Sequence, residues 1–159
     1  MNDHHSIEAI KQLKARYFRL LDTKEWADWR KLFTDDARFE GTSRPFDGPD
    51  DFCASTSAWL DPAVTVHQGH MPEIELLDDM NARGVWAMFD QVQFAGPITS
   101  GAYAGMNGFI GYGHYHELYR LDEGGWQISF LRLTRLRVDP IPPSSPFPKL
   151  PPGLLSSHS

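Results

Sequence analysis

The stretch "VTVHQGHMPEIELLDDMNARGVWAMFDQVQF", residues 64–94, carries two histidines, His67 and His70, ahead of one apolar run and a lone aspartate, Asp90, inside the next. Side chains two apart in a strand share a face. On that parity His70 points with Pro72, Ile74 and Leu76, whereas His67 joins Glu73 and Glu75 on the other face. Trp86, Met88, Asp90, Val92 and Phe94 share one face of the following strand, so Asp90 is the lone ionisable group in an apolar row. A carboxylate left unpaired there is costly and needs a partner or a proton. The adjacent strand offers His70. A carboxylate that accepts from one imidazole nitrogen fixes the tautomer and leaves the other nitrogen to act as a general base. A purely structural His–Asp pair fits the same pattern.

Tyr17 and Asp22 invite the same comparison. Tyr17 lies on the apolar stripe of a helix, which suits either a core tyrosine or a phenol aimed into a pocket to bind a developing oxyanion. Asp22 stands where that helix stops, and "DTKE" has the form of a capping box, which by itself accounts for the acid. His114 and His116, spaced H-x-H on one strand, share a face as metal ligands do, but a third convergent ligand cannot be named. Cys53 has no basic neighbour in its helix and reads as a buried thiol. No phosphate loop, dinucleotide fingerprint or nucleophile elbow occurs. Candidate pocket residues are Trp86 and Met88 beside Asp90, and Tyr112, His114, His116 and Phe130 on the last two strands.

These residues need a scaffold, and the hydrophobic period supplies one. Ile7, Ile10, Leu13, Tyr17, Leu20 and Leu21 recur at helical spacing and predict an amphipathic helix over 6–21. A second helix is expected from Thr23 to Leu32 or Phe33, a short strand near Ala37–Glu40, and a third helix over 49–59, opened by Pro49 and two acids. The period then changes to alternation. Runs at 72–77 and 82–94, joined by "DDMN", and two further runs flanking "DEGG" read as hairpins, with a glycine-rich loop or lid before the second pair. Helices followed by an antiparallel meander make the α+β class. One domain is expected over 1–138; from Asp139 onward seven prolines in 21 residues predict an extended tail, 139–159.

A formal charge of −6 with scattered Lys and Arg argues against a nucleic-acid or membrane-surface partner. No apolar run approaches the roughly 20 residues of a spanning helix, and no secretory leader is evident, so a cytoplasmic location is expected. Aromatic residues make up 13% of the chain, enough either for an aromatic core or for lining a cavity for a flat ligand.

"IKQLKARYFRLLDTKEWADWRKLFTDDARFEG", "HQGHMPEIEL", "RGVWAMFDQV" and "GHYHELYRLDEGGWQISFLRLTRLRV" resemble, in order and spacing, the SnoaL-like branch of the nuclear transport factor 2-like superfamily, including its bile acid and scytalone dehydratases. The resemblance covers about residues 5–138. It implies a cone-shaped α+β barrel, a curved antiparallel sheet wrapped around helices to enclose one apolar pocket, and homo-oligomers, dimers or trimers, built through the outer sheet face. It implies catalysis without a cofactor, with Tyr17, Asp22, His70 and Asp90 facing the cavity: His70 as base oriented by Asp90, Tyr17 on the oxyanion or leaving group, and Asp22 tuning Tyr17 or touching substrate. The expected activity is a cofactor-independent lyase acting on a hydroxylated aromatic or polycyclic small molecule, by dehydration or by formaldehyde-releasing cleavage of lignin-derived diaryl compounds. A ketosteroid-isomerase-like isomerase, or a non-catalytic subunit such as the small subunit of a ring-hydroxylating dioxygenase, would share the fold.

Overall fold

In the computed structural model, which describes residues 3–42 and 44–149, helix α1 (Asp3–Asp22) buries Ile10, Leu13, Tyr17, Leu20 and Leu21 along the expected stripe. Lys14 sits inside that stripe and is buried as well. The helix stops by the backbone: Lys24 takes a left-handed φ of 63°. Its N–H reaches Leu21 O at 3.3 Å, and the Glu25 N–H reaches Leu20 O at 2.9 Å. "DTKE" is therefore a helix exit, not a capping box, and α2 (Trp26–Arg30) begins without a side-chain cap. The Asp22 carboxylate is left for other use. Helix α2 is also shorter than expected: Lys31 and Leu32 form a turn, and strand β1 (Phe33–Glu40) starts at Phe33.

Helix α3 (Gly48–Leu60) starts as its sequence indicates, with Pro49, Asp50 and Asp51 in the first turn. Strands β2 (Val64–Leu76), β3 (Asn81–Gln93), β4 (Gly108–Asp122) and β5 (Gly125–Ile141) follow as an antiparallel meander. Strand β1 joins β5 in parallel, giving the order β1-β5-β4-β3-β2 in a curved, unclosed sheet whose inner face packs on α1. The aromatic residues mostly fill this interior. Trp29 meets Phe33 edge to face at 5.2 Å between ring centroids, and Phe39 stacks on Phe52 at 3.8 Å. Cys53 is buried among them, and burial pushes its thiol up to about 12, an inert thiol as expected.

A single irregularity in β2 decides which histidine faces inward. His70 pairs with Ala87 and Glu73 with Val85, so β2 carries one residue more than β3 between those pairs. Met71, inside this bulge, has a φ of 31°. Such an insertion inverts the alternation. Ile74 and Leu76 face inward after the bulge, but before it the inward residues are Thr65, His67 and Gly69. Parity carried back from Ile74 to His70 therefore assigns the wrong histidine.

The tail boundary also shifts. Strand β5 continues through Asp139 and Pro140 to Ile141, whose carbonyl accepts from the Asn107 N–H at 2.8 Å. Beyond it, Gln93 Nε2 donates to Pro146 O at 3.0 Å, tying the extended tail to the end of β3. The remainder of the expected tail, 150–159, lies outside the described residues.

Candidate active site

His67 and Asp90 are direct cross-strand partners, and Asp90 is in turn opposite Gly111, so one row of the inner face reads His67, Asp90, Gly111. The end of α1 brings Asp22 to this row. Asp22 Oδ1 lies 2.7 Å from His67 Nδ1, and Asp22 Oδ2 accepts the His67 backbone N–H at 2.7 Å. Thr65 Oγ1 donates to Asp22 Oδ1 at 2.8 Å and accepts from Lys24 Nζ at 2.9 Å. These contacts fix the carboxylate, and the carboxylate fixes the ring. With Nδ1–H donating to Asp22, Nε2 carries the lone pair, and no described residue hydrogen-bonds to it. The side chain of His67 is 5% exposed, so bulk water barely reaches the ring.

Asp90 has a partner, but not a histidine. Arg135 grips it with two parallel bonds, Nη1 to Oδ1 at 2.6 Å and Nη2 to Oδ2 at 2.7 Å. The carboxylate is sealed at 3% exposure while the Arg135 side chain retains 27%. Gly111 makes the room: a Cβ there would lie 1.9 Å from Arg135 Nη1 and 2.2 Å from Asp90 Oδ1. Gly111→Ala should break this pair and lower stability by about 3–5 kcal/mol, the usual cost of splitting a buried ion pair. Urea denaturation checks it against Gly96→Ala, where an added Cβ meets nothing within 4 Å. Equal midpoints for the two variants would show that the strand can give way.

Deeper in the interior the Tyr17 ring meets that of Tyr115 at 5.9 Å between centroids, and Tyr115 feels both Asp90 and Arg135. The Lys14 ammonium lies 3.8 Å from the centroid of each of these two rings and pairs with Glu117. Glu117 also accepts from Tyr119 at 2.5 Å, and Trp86 Nε1 donates to Tyr119 at 2.7 Å. Burial pushes the phenols of Tyr17, Tyr115 and Tyr119 above their ordinary value of 10, with Glu117 and other acidic neighbours adding to it. The folded chain thus keeps protons that the unfolded chain releases. That stability is complete below pH 10 and is lost as pH rises above it, by about 1.4 kcal/mol per group per pH unit. Lys14 and Lys24 act in the opposite sense, because burial lowers their amines below 10.5, but the Cys53 thiol, raised to about 12, joins the three phenols, so two groups are set against four. Urea midpoints should therefore fall between about pH 9 and about pH 11; a constant midpoint would contradict three protonated phenols.

The other expected site residues divide by face. Trp86 and Met88 are buried on the inner face, Met88 with its sulfur 3.9 Å from Arg135 Nη1. His70 is exposed and on the outer face, so the expected His70–Asp90 dyad does not form. Tyr112, His114 and His116 alternate with the inward Gly111, Gly113 and Tyr115, and so point outward too. Phe130 sits opposite the outward Leu118. His116 and Phe130 line a cleft of about 640 Å³ with Glu73, Glu75 and Arg132, to which His67, Asp90 and Arg135 do not contribute. His116 bonds Thr134 at 3.1 Å, and among the described residues no group of three or more His, Cys, Asp and Glu side chains could hold a metal ion. No described helix is long and apolar enough to cross a membrane.

The model of the SnoaL-like domain matches residues 3–132, from the first turn of α1 into β5. The chain belongs to this family. Solved structures agree on the fold. The SnoaL-like chain is 20% identical to protein Kfla4162 of Kribbella flavida over 87% of its own length and 95% of that protein's, with a TM-score of 0.74. It is 18% identical to a type 2 hexachlorocyclohexane dehydrochlorinase, LinA, over 94% and 95% of the two chains, with a TM-score of 0.73. A scytalone dehydratase-like protein of Novosphingobium aromaticivorans is 17% identical over 92% and 99%, with a TM-score of 0.72.

Within this SnoaL-like frame, Arg135, Gly111, Thr65, Lys24 and Tyr115 are site neighbours that sequence reasoning left out. Gly111 had a signal, since a glycine inside an otherwise regular strand marks close approach by another group. Arg135 had none: Arg132, Arg135 and Arg137 look alike in "RLTRLRV" until the fold places one of them beside Asp90.

Proposed function

We propose that this SnoaL-like chain is a cofactor-independent lyase acting on a hydroxylated aromatic or polycyclic small molecule, with His67 as its base. The observation that carries the reading is the Asp22–His67 contact, 2.7 Å at Nδ1, in the same inner row as Asp90, whose partner Arg135 keeps 27% of its side chain exposed. In a dehydration, His67 Nε2 takes a proton from carbon, the C–H electron pair becomes the new double bond, and the neighbouring C–O bond breaks. The departing hydroxide takes the proton back from the imidazolium and leaves as water. In a formaldehyde-releasing cleavage, Nε2 takes the hydroxyl proton, the C–C bond breaks, and the same proton ends on the carbanion. Where a carbonyl or phenol oxygen is conjugated to the reacting carbon, it takes up the electron pair released from the C–H or C–C bond before the double bond or the new C–H bond is completed, and so carries negative charge on both routes. Arg135 supplies N–H donors for that oxygen, a type of contact worth about 10²–10³ in rate. Asp22 offsets the positive charge that His67 acquires. The eliminations named in the dehydrochlorinase and dehydratase relatives are chemistry of the same kind.

The test is incubation of chelator-treated protein with a panel of hydroxylated diaryl and steroid compounds, following loss of water or formaldehyde by mass spectrometry. Turnover should persist with chelator present. Turnover that appears only on adding a metal would overturn the reading.

A further inference from the structure

The guanidinium of Arg135 stands among aromatic rings at the mouth of the inner face. Its carbon is 5.4 Å from the centroid of Phe109, in the row next to His67, Asp90 and Gly111. Two further rings lie nearly parallel to Phe109: Tyr103, from the loop before β4, at 4.7 Å and 27°, and Trp59, from the end of α3, at 6.1 Å and 15°. Trp59 is 45% exposed, a large apolar surface left open with the Phe109 ring in contact with both it and Arg135. A flat ring laid on this shelf would carry its substituent to Arg135.

The charge at that point is unusual. A lone arginine selects carboxylates, because charge and fork geometry act together. Here both Nη atoms are bound to Asp90, which is sealed behind them in the room that Gly111 leaves by lacking a Cβ. What remains is Nε and the outer edges of the fork, N–H donors with no net charge behind them; Nε bonds to no described residue. The surroundings do not restore a positive field. Asp22, Asp61 and Asp90 stand against Lys24 and Arg135, three negative groups against two positive. A carboxylate brought here would lose its water with no charge to compensate it, whereas an uncharged carbonyl or phenol oxygen finds donors.

We propose that Asp90 sets the charge class of the substrate: by neutralising Arg135 it makes the site accept a flat aromatic compound through an uncharged oxygen and exclude the matching carboxylate. This rests on the proposed function for the location of the substrate, but not on His67 acting as a base. An isosteric pair of probes, 2-naphthamide and 2-naphthoate, tests it by isothermal titration and quenching of tryptophan fluorescence. The amide should bind at least about tenfold more tightly than the carboxylate, a modest share of the cost of stripping water from an uncompensated charge.

Asp90→Asn removes the neutralising charge and should reverse the order, so that naphthoate becomes the tighter ligand. The double variant Asp90→Asn, Arg135→Gln again has no net charge and should restore the preference for the amide, which ties the reversal to an uncompensated guanidinium; the order measured on the natural protein keeps the test valid if the single variant folds poorly. Trp59→Leu should weaken both probes alike. Naphthoate binding as tightly as the amide in the natural protein, an unchanged order in Asp90→Asn, or no binding of either probe at millimolar concentration would each overturn the proposal. His67→Gln should keep the order of the two probes. A protein that shows the expected order but turns over no compound would count against the lyase reading alone.

Discussion

Replacing His67 by glutamine lowers turnover by a factor of about 10²–10⁴, the contribution of a positioned general base. The side chain stays polar and close in size, so folding should be preserved and the loss should fall on kcat. Asp22→Asn should follow it with a smaller loss: the amide can still meet Nδ1, but it does not stabilise the imidazolium or enforce the tautomer. His70→Gln should leave turnover unchanged, because that ring is exposed on the outer face and touches none of these groups. The comparison needs only a substrate from the panel and rates for the three variants. Undiminished turnover in His67→Gln, or a loss confined to His70→Gln, would end the proposed mechanism.

The second large effect concerns stability. Lys14 and Glu117 form an ion pair whose side chains are both 0% exposed, with the ammonium against the faces of Tyr17 and Tyr115. Removing either partner alone leaves a buried charge without compensation. Lys14→Met and Glu117→Leu should each cost about 3–5 kcal/mol, whereas the joint replacement should recover most of the loss, because well-packed apolar residues often replace a buried pair without penalty. Urea denaturation of the three variants measures the coupling directly. Additive losses would show that the two groups act independently, contrary to their contact. Burial depresses the Lys14 amine even with Glu117 beside it, so desolvation is the dominant influence on this group.

Lys14 also shows how a pattern can be present and still be passed over. It falls between Ile10 and Tyr17 at helical spacing, on the stripe that predicted the buried face of α1, and Glu117 shares a strand face with Tyr115 and Tyr119. Each residue alone looks like a charge at the edge of an apolar face. Only their separation in space, across 103 residues of chain, turns two misplaced charges into one pair.

The sequence by itself determined the order of helices and strands, the buried stripe of α1, the start of α3 and both hairpins. These follow from local period, turn chemistry and the geometry of one chain segment at a time. It also showed that Asp90, inside an apolar row, needs a partner. Tertiary structure decided which partner. A one-residue bulge at 70–73 reversed the facing of His67 and His70, and alternation cannot reveal an inserted residue in advance. Arg135 reached Asp90 across two strand pairings, and Asp22 was released from any capping role by a left-handed turn at Lys24. Charges meet where strands are brought into register, and register belongs to the sheet as a whole rather than to any stretch of its sequence.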